Sequence, residues 1–292
     1  MVRDGCTSCK RAVSQVLTFS RGCSKVGSPT QVTTSQPEKL AAILQQADYA
    51  QKRLQTVWSE MDCLVNKDLR EAILVLCEGQ KGRLLDFGCG GSPYAGILPQ
   101  FRPYVRADIF PGEGIDLIIN EAGALPGEPS GSYDVVFSTQ VLEHVPDTRS
   151  YLAEAYRLLR PGGILILTTH GLMQEHGCPN DFYRWTGEGL ERTVREAGFV
   201  VQESYKLTVG LRAASYLLNY IVFSVLMFDE RKILGQIARA FRSLYRNFLV
   251  QWVNRLGDRL THLSRAPGRS TKEMLYIGVA LRAVKPDKPN AS

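Results

Sequence analysis

The residues best placed to do chemistry in this 292-residue chain are two acids and a set of glycines. Asp86-Phe-Gly88-Cys89-Gly90-Gly-Ser92 sets a carboxylate immediately before a glycine-rich turn. Glycines let a backbone bend sharply and approach a ligand closely. Asp108 follows Asp86 by 22 residues, near the ~20-residue offset at which a carboxylate holds ribose hydroxyls in doubly wound folds. The glycines do not follow Gly-x-Gly-x-x-Gly, so a pyrophosphate ligand and a dehydrogenase are disfavoured. His170 and His176 are candidates for the proton acceptor that a hydroxyl or amine nucleophile often needs, because neutral imidazole is the usual base near neutral pH.

The elements that must hold these groups follow from hydrophobic patterning. Arg83–Phe87, Tyr104–Ile109, Ile115–Ile119, Tyr133–Ser138 and Ile164–Thr169 read as strands, with further strands at Phe199–Tyr205 and Met274–Leu281. Apolar runs of this kind mark strands buried on both faces of a parallel sheet, whose ligands bind beyond the carboxyl ends. Upstream, Leu40, Ile43, Leu44, Ala47, Leu54, Val57 and Trp58 recur at helical spacing. One or two helices there are expected to cover a sheet edge or the mouth of the site. Residues 1–35, rich in Ser, Thr, Gly and basic side chains, read as a poorly ordered arm.

The acid before the glycine turn resembles motif I of the class I S-adenosylmethionine-dependent methyltransferases. The order and spacing of the later motifs resemble the type 11 family of that class, over roughly residues 80–207 and 274–284. The resemblance implies an α/β fold: a seven-stranded Rossmann-like sheet, mostly parallel with an antiparallel last strand. It also implies S-adenosylmethionine as cofactor. Backbone at Gly88, Cys89 and Gly90 would then pass beside the methionine portion and ribose, Asp86 would anchor the loop and the cofactor's amino end, and Asp108, beside Ile109, would take the ribose hydroxyls. The family's adenine-binding acid falls on Asn120 or Glu121, depending on the direction of counting. Gln140 takes the position of a contact to the methionine end. Glu143 and His144 match the family's Leu-Glu-His, where the histidine is read as structural. Asp181, Tyr183 and Arg184 resemble an element of methyltransferases of glycan and cell-envelope synthesis. They are candidates for substrate binding, or for locking their own loop by an ion pair and hydrogen bonds.

The composition is compatible with an enzyme of this kind. Apolar residues make up 44% and charged residues 22%, which argues for a packed core and against disorder. Seven cysteines, scattered and odd in number, do not suggest a disulfide framework, and Cys6, Cys9 and Cys23 read as free thiols with no second pair at zinc spacing. No metal is expected. A signal peptide is not apparent, so a cytoplasmic location is expected. The domain organisation predicted is an arm at 1–35, helices at 36–78, a methyltransferase domain at 79–207 and 272–285, and a helical insertion at 208–271. Within that insertion, Ala213–Phe228 carries no charge but is short for a membrane span, and is expected to form a buried or interfacial hairpin. The stripe Ile233, Ile237, Phe241, Leu244, Phe248, Trp252, Leu256 then keeps to one helical face, and between Arg231 and Arg269 nine basic residues accompany one acid, Asp258. Two readings stay open: a lid packed on its own domain, or a lid that also meets an anionic membrane surface as a peripheral protein. The function expected is methyl transfer to a small-molecule, glycan or lipid-linked acceptor. A catalytically silent scaffold and an RNA methyltransferase are the alternatives. Nucleic acid is not expected among the partners: Ser138-Thr-Gln-Val stands where base amino-methylating enzymes carry an Asn/Asp-Pro-Pro-aromatic motif.

Overall fold

Alternating side chains of a strand point to opposite sheet faces, and here both faces are covered. The computed structural model describes residues 52–176, 180–227, 243–264 and 275–287. The expectations for the 1–35 arm, for Cys6, Cys9 and Cys23, for Leu40–Ala47 and for Ile233–Phe241 lie outside the described residues. The elements in chain order are α1 (Cys63–Leu76), β1 (Gly82–Phe87), β2 (Phe101–Asp108), β3 (Leu117–Ile118), β4 (Tyr133–Thr139), α2 (Thr148–Leu158), β5 (Leu159–His170), α3 (Gly187–Glu196), β6 (Val200–Val209), α4 (Leu211–Met227), α5 (Val250–Ser264) and β7 (Tyr276–Val284).

The seven strands form one sheet in the order β3-β2-β1-β4-β5-β7-β6. Pairs from β3 to β5 are parallel, and β7 runs antiparallel to both β5 and β6. This is the mixed sheet the resemblance implied. On one face Leu85, Phe87, Val136, Leu165 and Leu167 pack with Tyr151, Leu152 and Ala155 of α2 and Leu190 and Val194 of α3. On the other, Leu84, Val135, Phe137 and Ile166 pack with Leu69, Ile73 and Leu76 of α1. Side-chain caps fix two helix starts: Asp147 accepts from Ser150 N at 3.0 Å before α2, and Thr186 Oγ1 accepts from Gly189 N at 3.1 Å before α3. Each satisfies an amide that the helix itself leaves unpaired.

α1 lies over the β5-β7-β6 end of the sheet, its Leu69, Ile73 and Leu76 packed in one cluster with Leu207 of β6 and Ala280 of β7. One expectation is corrected. The uncharged run is one continuous 17-residue helix, α4, instead of a hairpin. Asn219 within it is fully buried and accepts from Tyr245 Oη and donates to Asn254 Oδ1, both at 2.9 Å. A buried amide satisfied across a helix pair need not interrupt its helix. Among the described residues, no helix is long and apolar enough to cross a membrane.

Candidate active site

The carboxyl ends of β1, β2, β4 and β5 open on one side of the sheet, and the sequence-predicted residues gather there. After β1 the chain turns through Gly88 (φ +85°) and Gly90 (φ +50°). A Cβ at Gly88 would stand 2.7 Å from a Val141 methyl, so only glycine lets the loop pass the end of β4. A Cβ at Gly90 would meet nothing within 4 Å, so the loop borders open space on that side. Gly88 N and Cys89 N both donate to Ala107 O at 2.9 Å, tying the loop to β2.

Asp86 is buried beneath this loop and its Oδ2 accepts from Tyr104 Oη at 2.7 Å and Ser92 Oγ at 3.1 Å. Burial pushes its carboxyl up to about 7, although the two hydrogen bonds pull the other way. Burial also pushes the Cys89 thiol up to about 12, so it stays protonated. Any ligand contact at Cys89 then falls to its backbone. Asp108 closes β2: its Oδ2 accepts from Gly90 N at 2.8 Å and its Oδ1 from Phe110 N at 3.2 Å. Beyond it Ile109 and Phe110 are both exposed. Phe110 escaped the sequence reading, and the only signal for it is an apolar aromatic directly after the Asp-Ile pair.

Asn120 and Glu121 differ in their hydrogen bonding. Asn120 Oδ1 accepts from Ala122 N at 3.0 Å and Ala124 N at 2.9 Å, holding its own turn. Glu121 is exposed on that turn. Gln140 adopts φ +55°, rare for a side chain with a Cβ, and its Nε2 donates to Thr168 Oγ1 at 3.0 Å. Such strained positions tend to cluster at functional sites.

The segment from Gln140 continues through Val141, which touches the glycine loop, into the 3₁₀ turn Leu142–His144. Three imidazoles pack there. Ring centroids are 4.8 Å apart for His170 and His176, 5.0 Å for His144 and His176, and 6.4 Å for His144 and His170. Glu143 is fully buried among them; its Oε2 accepts from Thr169 Oγ1 at 2.8 Å and its Oε1 lies 3.2 Å from His170 Nδ1. Burial raises the Glu143 carboxyl and, with His176 beside it, lowers His170 to about 3. His176 is lowered as well, by burial and then by His144. His170 and His176 are therefore neutral imidazoles at neutral pH. Sequence reading found His170 and His176 but set His144 apart as structural, and its Nδ1 does lie 2.6 Å from Asn180 O.

Asp181, Tyr183 and Arg184 are engaged within their own loop. Arg184 grips the Asp181 carboxylate at 2.5 and 2.6 Å and also donates to Met173 O and Gln174 O. Those hydrogen bonds hold Asp181 well below the usual carboxylate range. Tyr183 Oη donates to Pro146 O at 3.0 Å. The arrangement matches the locking role, and it aims Asp181 Oδ2 at His176, 3.4 Å from its Nδ1.

Comparisons with known proteins bear on the class. The family model described as a methyltransferase domain matches residues 57–204. The chain belongs to that methyltransferase-domain family, within the class I S-adenosylmethionine-dependent methyltransferases. A ubiquinone biosynthesis O-methyltransferase of Xanthomonas axonopodis pv. citri is 31% identical over 113 residues, 34% of this chain and 47% of that protein. A ubiquinone biosynthesis O-methyltransferase of Xanthomonas oryzae pv. oryzae is 33% identical over 101 residues, 30% of this chain and 42% of its own length. The chain thus matches less than half the length of these curated relatives. Phosphoethanolamine N-methyltransferase 2 of Haemonchus contortus, solved with S-adenosyl-L-methionine, is 18% identical with a TM-score of 0.44, covering 75% of this chain and 52% of that one.

Proposed function

We propose that the protein transfers a methyl group from S-adenosylmethionine to a hydroxyl of a small-molecule acceptor, with a histidine of the 144/170/176 cluster as proton acceptor. One observation carries this reading. The segment Gln140–His144 touches the glycine loop at Val141 and holds the imidazoles at Glu143 and His144, so a cofactor cradle and a basic group share one wall.

The chain's residues suit this cofactor. Gly90 borders open space with no Cβ to fill it, and Gly88 and Cys89 belong to the same loop. Each Asp108 oxygen accepts one backbone N–H bond, and a carboxylate oxygen can accept two, so capacity remains for two ribose hydroxyls. Ile109 and Phe110 offer an apolar wall for the adenine ring. Glu121 suits the adenine amino group better than Asn120, whose acceptor oxygen already serves two backbone amides. Gln140 faces the methionine end of the same cradle in this assignment, and Asp86 holds the loop from below.

When bound, S-adenosylmethionine supplies an electrophilic methyl carbon. The protein's part is to align the acceptor and remove its proton. His176 is the more accessible candidate, its side chain 39% exposed against 5% for His170. Its Nδ1 faces the ionised Asp181, which leaves Nε2 to take the acceptor proton. His170 and Glu143 then sit behind it as a buried, neutral-favouring backing. The curated relatives act as O-methyltransferases in ubiquinone synthesis by name, which favours a small hydroxylated acceptor over a glycan or lipid-linked one.

The test is incubation of the protein with methyl-labelled S-adenosylmethionine and fractionated cell extract, read by mass spectrometry. A labelled small-molecule product that disappears with Asp108→Ala supports the reading. Cofactor binding with no label transferred to any fraction would instead leave a silent scaffold.

A further inference from the structure

The apolar stripe of the insertion is not covered by the catalytic domain where it is described. Leu244, Phe248, Trp252 and Leu256 recur every fourth residue and are 51%, 61%, 71% and 55% exposed. Large contiguous apolar surface of this kind marks an interaction site. We infer that the outward face of α5 and the turn before it docks on an anionic lipid bilayer, an inference independent of the methyl-transfer reading.

The orientation of α5 is pinned by polar contacts on its opposite side. Asn254 is fully buried: its Nδ2 donates to Trp58 O at 3.0 Å and Glu60 O at 2.9 Å, and its Oδ1 accepts from Asn219. Gly257 passes Ser215 so closely that a Cβ there would stand 2.2 Å from its hydroxyl. Asp258 pairs with Lys67 at 3.0 Å and with Arg212, which also grips Asp68. A rotation that buried Trp252 would pull apart these contacts. At 3.6 residues per turn, Phe248, Trp252 and Leu256 lie across the helix from Asn254 and Gly257.

Charge selects the occupant. The one acid between Arg231 and Arg269 is Asp258, and it is turned inward into the Lys67–Arg212 network. Arg255 and Arg259 are exposed beside Trp252 and Leu256, with the Arg255 guanidinium 5.9 Å from the Trp58 ring. Among the described residues, the outward face of α5 thus presents aromatic and aliphatic groups with cations and no acid. A second copy of this chain would bring the same cations together across a symmetric contact, which opposes self-association. A bilayer supplies both an apolar depth for Phe248 and Trp252 and anionic headgroups for the arginines. α4 adds exposed Leu211, Leu218 and Ile221 on its own outward side.

The experiment is flotation of the full chain with vesicles of phosphatidylcholine alone and of phosphatidylcholine mixed with phosphatidylglycerol. The wild type should float with the mixed vesicles at low salt and detach as salt rises. Phe248→Ser and Trp252→Ser should each weaken partition about tenfold or more, as loss of a buried aromatic implies. Arg255→Glu with Arg259→Glu should abolish the preference for anionic vesicles, since each basic residue near the surface contributes about fivefold. Unchanged melting temperature and cofactor affinity establish that the variants fold. Absence of flotation at low salt, or flotation indifferent to both pairs of changes, overturns the inference. So does a wild-type dimer in sedimentation that Trp252→Ser dissociates without any lipid binding.

Discussion

Replacing Asp86 by Asn isolates the energetic consequence of placing a carboxyl beneath the glycine loop. The amide keeps an acceptor oxygen for Tyr104 and Ser92, which both bond to Asp86 Oδ2, and it removes the titration. Burial raises the folded-state value from 3.8 to about 7. The folded chain therefore holds a proton that the unfolded chain releases at lower pH. The resulting stabilisation of the wild type is fully present below pH 3.8 and is lost as pH rises toward about 7. Over that window the loss amounts to on the order of 4 kcal/mol, at ~1.4 kcal/mol per pH unit. The Asn variant lacks this loss, so its stability relative to wild type should rise by that amount from acid to alkaline conditions and level off above about pH 7. Urea unfolding of both proteins at pH ~4, ~6 and ~8 measures it, provided the slopes agree. A stability difference that stays constant over this range would refute the reasoning, because Asp86 would then be ionised in the fold at its ordinary value.

Three further outcomes follow from the same site. Gly88→Ala should destabilise the protein by about 1–3 kcal/mol, through its positive φ and the clash with Val141, read as a lowered melting temperature with weakened cofactor binding. His176→Ala or His170→Ala should lower turnover about 10²–10⁴-fold with cofactor affinity intact; full turnover in both variants would remove proton transfer from this loop. Arg184→Ala should free the Asp181 carboxylate and raise KM for the acceptor more than it lowers kcat, which steady-state kinetics would separate.

Much of the sheet was legible because its strands are buried on both faces and so appear as apolar runs with an acid or polar residue at the carboxyl end. Asp86 and Asp108 stand out for that reason, each closing or nearly closing a strand. The contacts that define their roles are tertiary and left no local trace. Nothing in the sequence shows that Asp86 is held by Tyr104, or that Val141 forces glycine at position 88. That Asn120 bonds to its own loop, which bears on the proposed adenine contact, could not be revealed by counting residues from either side. The burial of Asn219 within α4 was not legible because its partners, Tyr245 and Asn254, lie beyond a long intervening segment. His144 was read as structural, and its packing against His176 depends on the fold of the loop after β5. The exposed stripe on α5 was visible as periodicity; which side of the helix it occupies was not, since the Asn254 and Asp258 contacts that set the rotation reach α1 and α4.

The central claim is that the loop at Gly88–Gly90 and Asp108 forms the cofactor cradle. Calorimetric titration of S-adenosylhomocysteine into the wild type and into Asp108→Ala tests it most directly. Binding to the wild type, weakened about tenfold or more in the variant as expected for a lost charge-assisted hydrogen bond of ~1.5–3 kcal/mol, is the predicted result. Equal affinity in the two proteins, or no binding to the wild type, would contradict the account.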